Sequence, residues 1–192
     1  MPRWKPDARE RLIEAALDLF TEQGYDETTV AQIAERADLT KSTFFRHFSD
    51  KRELLSAGQE MLSGLLAEGI AGAPDDATPL EAVAAGLDRA SGAMTEFNRG
   101  LGPRLHAAIE ANEELRTRNA LKTIGLAAAM SEALQARGVT ESVAQVAAEL
   151  GVLAFGLGYR RWSEPGDDVP GELATHTRTA LAELRAAAAE LH

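Results

Sequence analysis

The stretch from Thr28 to Lys51, TTVAQIAERADLTKSTFFRHFSDK, constrains the fold most, because it contains two helix starts in close succession. Thr29, followed three residues later by a glutamine, forms a capping box that predicts a helix from about Val30. Thr40 is well placed to cap a second helix, and Asp38 occupies a turn position that needs a left-handed backbone. The spacing therefore predicts two short helices joined by a tight turn, the layout of a helix-turn-helix.

The second of these helices is predicted to have an apolar side and a solvent side. Phe44 and Phe48 lie one turn apart and turn inward together with Leu39. This leaves Phe45 and Arg46, and the Lys-Ser-Thr start of the helix, facing solvent. An exposed aromatic ring beside cations and hydroxyls suits thymine methyls, base edges and phosphate oxygens, so this side is predicted to contact DNA.

A third helix start follows directly. Ser49 and Asp50 offer a cap, which places Lys51 at a positive helix N-terminus where a phosphate would be held.

Residues 7–55 resemble the N-terminal domain of the TetR family of bacterial repressors. The matching positions are Thr29, Ile33-Ala34, Leu39-Thr40, Thr43, Phe45-Arg46-His47-Phe48 and Lys51-Arg52-Glu53-Leu54-Leu55. The resemblance implies contacts to DNA, mostly to phosphates, from Thr29, Thr40, Lys41, Ser42, Thr43, Phe45, His47 and Lys51, and the solvent-facing Arg46 completes this set. The family usually has Tyr at position 45 and often Gly at position 38, so a phenolic hydrogen bond to phosphate is missing here.

Composition limits the classes of protein to which the chain can belong. With 192 residues and 45% hydrophobic content it can bury a substantial core. The absence of cysteine excludes a disulfide framework and thiolate chemistry, and is compatible with a reducing cytosol. No apolar run reaches transmembrane length and the start lacks a signal-peptide core, so we expect a cytoplasmic protein with no membrane partner.

The net charge of −10 is unevenly distributed. Residues 1–55 hold nine basic and eleven acidic side chains, whereas residues 28–52 hold five basic and three acidic ones. Because affinity for phosphates depends on local counterion release, an acidic body does not exclude DNA binding by this segment.

The predicted fold class is all-α, with about nine helices in two domains. Residues 1–52 form a three-helix DNA-binding domain whose motif spans about 29–48, and its first helix runs from a cap at Asp7 to a stop at Gly24. Before it, Arg3 and Lys5 belong to an arm that either reaches a minor groove or is a disordered tail.

Residues 53–192 are predicted to form a larger helical domain for effector binding and dimerisation. A continuous helix from Lys51 to Ile70 would act as a lever between the domains. Further helices are expected from Pro79 to about Phe97, where NRGLGP breaks the pattern, then over 104–111, 112–137 and 141–161, and from about Pro170 onwards.

The helix that follows Thr140 is apolar on every side, which predicts burial against a partner. We predict a homodimer with two-fold symmetry, as the TetR resemblance also implies. One face, Val143, Val146, Leu150, Leu153 and Leu157, is expected to lie in the core. The alternative is that the small residues of this helix pack within one chain. The dimer interface is assigned to the small-residue face of this helix and to the last helix, that is to Ala147, Gly151, Ala154, Gly158, Leu181 and Leu184.

A small hydrophobic effector is the second expected partner. The proposed pocket lining is Met61, Leu65, Met94, Phe97, Leu101, Ile109, Met130 and Phe155, although each of these side chains could equally be plain core. A fatty acyl thioester is one candidate effector, because PRLHAAIEANEELRTRNALK resembles the ligand domain of a TetR subgroup that responds to such compounds.

No enzyme constellation, metal site or cofactor motif is recognised. His47, His106, His176 and His192 have no ligand or catalytic partner at a known spacing. The resemblance implies a repressor of a pseudo-palindromic DNA operator. A helical adaptor that has lost DNA binding remains as an alternative, because of Phe45 and the acidic balance.

Overall fold

The computed structural model describes residues 7–56, 58–164 and 172–191, and every regular element in these ranges is a helix. The all-α prediction is confirmed, with ten helices in the described residues against about nine expected. They are α1 Ala8–Gln23, α2 Val30–Arg36, α3 Lys41–His47, α4 Lys51–Ser56, α5 Gln59–Ala71, α6 Pro79–Ser91, α7 Glu96–Ala111, α8 Glu113–Ala136, α9 Glu141–Ser163 and α10 Leu173–Ala189. The predicted arm with Arg3 and Lys5 lies outside the described residues, as does Pro170.

The chain divides into two compact units. The first contains the described parts of Met1–Ala57 together with Pro103–Ala120, and the second contains those of Gly58–Gly102 and Leu121–His192. The predicted domain division at residue 52 stays a prediction, and the structure groups residues 103–120 with the N-terminal residues.

The first unit begins with a capped helix, as predicted. The Asp7 side chain accepts from the Glu10 backbone N–H at 2.8 Å, and the Glu10 carboxylate accepts from the Asp7 N–H at 3.2 Å. α1 ends at Gly24, whose φ of 87° requires glycine. Leu12 and Phe20 are fully buried, so α1 supplies the core against which α2 and α3 pack.

The second unit is built on close helix contacts. Gly69 on α5 lies against α6, where a Cβ at this position would be 2.6 Å from the Gly86 Cα. Two facing glycines thus let the backbones of α5 and α6 approach each other directly. α6 begins with the predicted capping box, since the Thr78 hydroxyl accepts from the Glu81 N–H and the Glu81 carboxylate accepts from the Thr78 N–H at 2.8 Å.

Two predicted helix boundaries are wrong. The helix expected from Lys51 to Ile70 is divided into α4 and α5, because Gly58 takes a left-handed φ of 90°. α6 ends at Ser91, short of Phe97, and the NRGLGP segment lies inside α7. Pro103 removes one backbone donor there, but α7 is held near this point by bonds from Tyr159 to the Asn98 carbonyl at 2.5 Å and from Arg99 to the Trp162 carbonyl at 2.9 Å.

The faces of α9 are reversed relative to the sequence prediction. Ala147, Gly151, Ala154 and Gly158 are all buried within the chain. A Cβ at Gly151 would collide with Met130 Cε on α8, and one at Gly158 would lie 2.7 Å from the Thr177 Cα on α10. The small residues therefore pack against the chain's own helices, which was the alternative left open, and they are not available to a second copy.

The stripe that was predicted as core is only partly so, since Leu150 and Leu157 are partly buried against the core of the second unit but its other three members are exposed. Val146 is 62% exposed, and Val143 and Leu153 are about half exposed, at 49% and 53%. Of the two interface residues predicted on α10, Leu181 is buried and Leu184 is partly buried. The exposed apolar surface of α9 is thus made by its larger side chains.

By length and composition alone, α9 would qualify as a membrane-spanning helix, with a mean hydropathy of 1.3 in its most apolar window. The core helix of a water-soluble domain meets the same test, and α9 has a full face of small residues packed in the second unit. The expectation of no membrane partner stays a prediction.

Candidate nucleic-acid interface

α3 is fixed in place by its cap and by two buried rings. The Thr40 hydroxyl accepts from the Thr43 N–H at 3.1 Å, as predicted. Phe44 and Phe48 are 0% and 2% exposed, with ring centroids 5.6 Å apart, so the inward side of the helix is filled. Phe45 is 57% exposed, and its ring meets Phe44 edge-on at 5.5 Å. A large aromatic side chain is therefore presented to solvent from a rigid helix.

The solvent side of α3 is polar and cationic around that ring. Lys41, Ser42 and Arg46 are exposed, whereas Thr43 and His47 are partly buried. At the start of α2, the exposed Thr29 accepts the Gln32 N–H at 3.3 Å. The positions that the sequence assigned to DNA contact on α3 and at its cap thus surround one exposed surface, here called the α3 face: Thr40, Lys41, Ser42, Thr43, Phe45, Arg46 and His47.

The turn that orients α3 adopts the predicted left-handed backbone. Asp38 has a φ of 53°, the only positive φ of a non-glycine residue in the described part of the chain. Arg11 on α1 clamps this turn, since its guanidinium donates to the Ala37 carbonyl and to the Asp38 carbonyl at 3.2 Å. The angle between α2 and α3 is therefore held by α1 as well as by the turn itself.

Lys51 points into the first unit. Its ammonium donates to the backbone carbonyls of Tyr25 at 2.7 Å, Thr28 at 3.0 Å and Asp26 at 3.3 Å, and lies 4.1 Å from the centroid of the Tyr25 ring. These three bonds use every donor that a lysine has. The phosphate contact predicted for Lys51 stays a prediction. It would require the ammonium to give up at least one of these bonds to a backbone carbonyl.

The N-terminus of α4 is also occupied from within the chain. The Asp50 carboxylate accepts from the Arg52 N–H at 2.7 Å and from the Glu53 N–H at 2.9 Å. These backbone bonds help to lower the pKa of Asp50, so the carboxylate stays ionised at neutral pH. The cap predicted at this position is confirmed, and it fills the anion position of α4.

Charge pairing singles out two cations. Arg36 pairs with Glu22 at 2.6 Å, Arg52 pairs with Asp50 at 3.2 Å, and Lys51 is engaged by carbonyls. Of the five basic residues in 28–52, this leaves Lys41 and Arg46 with no ion pair to any described residue. Both lie on the α3 face, so the positive charge available to an external phosphate is concentrated where the exposed aromatic ring lies.

Comparisons with known proteins agree with this geometry. Residues 12–57 match the family model described as bacterial regulatory proteins, tetR family. TcmR of Streptomyces glaucescens, an HTH-type transcriptional regulator, is 33% identical over 102 residues, which are 53% of this chain and 45% of that protein. SrpR of Pseudomonas putida, also an HTH-type transcriptional regulator, is 41% identical over 51 residues, which are 27% of this chain and 24% of that protein.

Residues 12–57 of this chain are thus similar to the tetR family. The chain spans less than half the length of these curated relatives. Two solved structures extend the likeness of fold beyond the matched residues. A transcriptional regulator from Aquifex aeolicus VF5, described as of the TerR/AcrR family, has a TM-score of 0.52 at 20% identity, covering 93% of this chain and 98% of that one. The TetR-family regulator PfmR from Thermus thermophilus has a TM-score of 0.50 at 23% identity, covering 93% and 95%.

Outside residues 12–57, the predicted effector residues have varied environments. Met130 is fully buried in the core of the second unit, whereas Met61 is 59% exposed. Leu65, Met94 and Phe155 are partly buried against that core, Phe97 and Leu101 are partly buried on α7, and Ile109 belongs to the first unit. The assignment of these eight residues to one pocket stays a prediction.

Sequence reasoning missed a groove in the second unit. The groove has a volume of about 780 Å³ between the starts of α6 and α9 and the middle of α10. Its lining includes the apolar side chains of Leu80, Ala84, Val143, Val146, Leu150 and Leu181, and the charged side chains of Glu81, Arg178 and Arg185. The signal was present in the valines and leucines of α9, which were assigned to the core.

Proposed function

We propose that this chain is a sequence-specific DNA-binding transcriptional regulator that represses its target genes. The α3 face carries this proposal, because it combines an exposed phenylalanine with Lys41 and Arg46, which have no ion pair to any described residue, on a helix whose other side is buried in a core. Hydroxyls at Thr40, Ser42 and Thr43 add hydrogen-bonding groups of the kind used on phosphate oxygens. The tetR-family match of residues 12–57 supports the same function.

The proposed regulator acts as a homodimer on a pseudo-palindromic operator. One recognition helix reads only a few base pairs, and tight binding takes two helices about 34 Å apart in successive major grooves. The exposed apolar face of α9 supports dimerisation, since Val143, Val146 and Leu153 would otherwise remain in water. The second copy would cover this face and the adjoining groove, in place of the small residues assigned from sequence.

Operator affinity would be modulated by a small hydrophobic effector bound in the helical domain assigned to residues 53–192. A fatty acyl thioester remains the candidate suggested by the sequence. An effector that favours one distance between the two DNA-binding domains of the dimer changes operator affinity. The coupling free energy between effector and operator binding is typically about 1–3 kcal/mol, which is roughly 5- to 150-fold in affinity. Cytoplasmic location follows from the proposed role on DNA.

Fluorescence anisotropy with DNA from the region upstream of the chain's own gene tests the proposal. We expect binding whose affinity falls steeply between about 50 and 200 mM salt, and an inverted repeat within the DNA that is bound. Lys41→Ala and Arg46→Ala should weaken binding, whereas Arg89→Ala, an exposed cation of the second unit, should not. Absence of binding at low salt, or equal binding by all four proteins, would favour the helical-adaptor alternative instead.

A further inference from the structure

The exposed side of α3 presents its side chains in a fixed order around the helix. Because successive helical residues are about 100° apart, Phe45 is displaced by only about 40° from Lys41, four residues earlier. Ser42 is displaced by the same angle from Arg46, so Phe45 and Ser42 occupy the middle of the α3 face. Lys41 flanks this middle on one side and Arg46 flanks it on the other. All four residues are exposed, whereas Phe44 on the inward side is fully buried.

The ring of Phe45 is supported from behind by the core of the first unit. It meets Phe44 edge-on, with centroids 5.5 Å apart and planes 82° from parallel, and Phe44 in turn contacts Phe48. Those two rings are almost completely buried, whereas Phe45 is 57% exposed. A partner that covers Phe45 therefore meets an aromatic surface whose support is already fixed, so little conformational freedom is lost on contact.

The width of the DNA major groove matches the order of side chains on α3. The groove is about 12 Å wide and admits a single α-helix, which is about 10–12 Å across with its side chains. When α3 lies in the groove, the middle of its exposed side faces the base edges and its flanks face the two rows of phosphates. Lys41 and Arg46 are then beside phosphates, and Phe45 is beside the bases.

The chemistry of a phenylalanine ring limits what it can contact on those bases. The ring has neither a hydrogen-bond donor nor an acceptor, so it would remove water from a polar base edge without replacing the lost hydrogen bonds. The C5-methyl group of thymine is the apolar group that the major groove presents. The ring of Phe45 can cover this methyl group, and the contact removes apolar surface of both partners from water.

We propose that Phe45 packs on the C5-methyl group of one thymine in each half-site, while Lys41 and Arg46 contact phosphates on either side of it. This deepens the proposed function, on which it rests, by assigning the readout of one base to a named side chain. Because the recognised group is a methyl, thymine at this position is distinguished from uracil, which has the same hydrogen-bonding groups.

Replacement of thymine by uracil tests this proposal, because it removes the methyl group and leaves base pairing unchanged. The probe is the tightest-binding duplex obtained from the region upstream of the chain's own gene or from a random library. Each thymine of that duplex is replaced singly by uracil, and the affinity of the full chain is measured by fluorescence anisotropy. One thymine in each half-site should be sensitive, with affinity lowered about threefold to fivefold, as expected for one buried methyl group.

Variants of the α3 face then identify the side chain that contacts the methyl group. Phe45→Ala should bind the thymine and uracil duplexes equally, because the ring that distinguishes them is absent, and Phe45→Leu should retain part of the difference. Phe45→Ala should also keep the slope of log affinity against log salt, which shows that the rest of the α3 face is intact. Lys41→Met is the matched control, and it should reduce that slope, weaken binding to both duplexes and keep the full ratio between them.

Failure of this inference is distinguishable from failure of the proposed function. If no duplex binds, the proposed regulatory function is wrong and this inference fails with it. Only the inference is overturned if a duplex binds but no uracil substitution weakens binding. The same conclusion follows if Phe45→Ala keeps the ratio between thymine and uracil duplexes, since the methyl group is then recognised by another side chain or through the shape of the DNA.

Discussion

Replacement of Lys51 by methionine tests whether this lysine stabilises the first unit or contacts DNA. Methionine keeps most of the aliphatic length but removes the ammonium that donates to the carbonyls of Tyr25, Asp26 and Thr28. A hydrogen bond to a charged group is worth about 1.5–3 kcal/mol net, and a cation over an aromatic ring about 0.5–1 kcal/mol at exposed sites. Because these contributions are not additive, we expect Lys51→Met to lower the free energy of unfolding by about 2–4 kcal/mol.

Thermal unfolding, followed by circular dichroism and by fluorescence of the full chain, measures this loss. For a chain of this size it corresponds to a drop in Tm of roughly 5 to 15 °C. The matched control is Lys41→Met, in which an exposed lysine with no ion pair to the described residues is removed. It should change the free energy of unfolding by no more than about 0.5 kcal/mol.

DNA binding should show the reverse pattern. Lys41→Met should reduce the slope of log affinity against log salt by about 1.8 for a dimer, since two phosphate contacts are lost. Lys51→Met should leave that slope unchanged at temperatures where the variant is folded. The interpretation is refuted if Lys51→Met unfolds like the unmodified chain and its slope of log affinity against log salt is reduced. Lys51 would then contact phosphate, and its bonds to the carbonyls would be dispensable.

Three further predictions concern the packing of α9, the turn at Asp38 and the ionisation of Tyr159. Gly151→Leu should destabilise the second unit by about 1–3 kcal/mol in urea unfolding, because the larger side chain overpacks against Met130. Val146→Glu should leave unfolding of the monomer unchanged and weaken self-association in sedimentation. If Gly151→Leu instead weakened self-association and Val146→Glu destabilised the monomer, the small-residue face would be the interface after all. Asp38→Gly should stabilise the chain by roughly 1 kcal/mol by relieving the left-handed backbone, and a loss of stability would show that the Arg11 contacts matter more. Tyr159 should ionise near pH 12, so the stability conferred by its neutral phenol is present below about pH 10 and is lost as the pH rises towards 12. In a pH titration followed by phenolate absorbance, the step near pH 12 should be absent from Tyr159→Phe. If that step persisted in the variant, it would not belong to Tyr159.

The N-terminal part of the first unit, residues 7–54, could be predicted from sequence in most of its detail, because its signals are local. The caps at Asp7, Thr29 and Thr40 depend on residues three positions away, and each is observed. The exposure of Phe45 also followed from helical spacing. The environment of Lys51 did not, since its carbonyl partners lie 23 to 26 residues earlier in the chain.

The errors in the second unit have a shared physical cause. Periodicity identifies the faces of a helix, but which face the chain itself covers depends on the shape of distant helices. On α9 the small residues allow α6, α8 and α10 to approach, so they are buried first, and the bulky Val146 and Leu153 are left outside. Similarly, Gly and Pro in NRGLGP predict a break, yet contacts from Tyr159 and Arg99 hold α7 together.

Selection of bound sequences from a random duplex library tests the central claim most directly, because it requires no knowledge of the operator. If the α3 face reads DNA from a paired molecule, the unmodified chain should enrich an inverted repeat whose half-sites lie about 10 base pairs apart, or a multiple of that distance. A Lys41→Ala, Arg46→Ala double variant should enrich none. Failure of the unmodified chain to enrich any sequence, or the same enrichment by the double variant, would contradict the account.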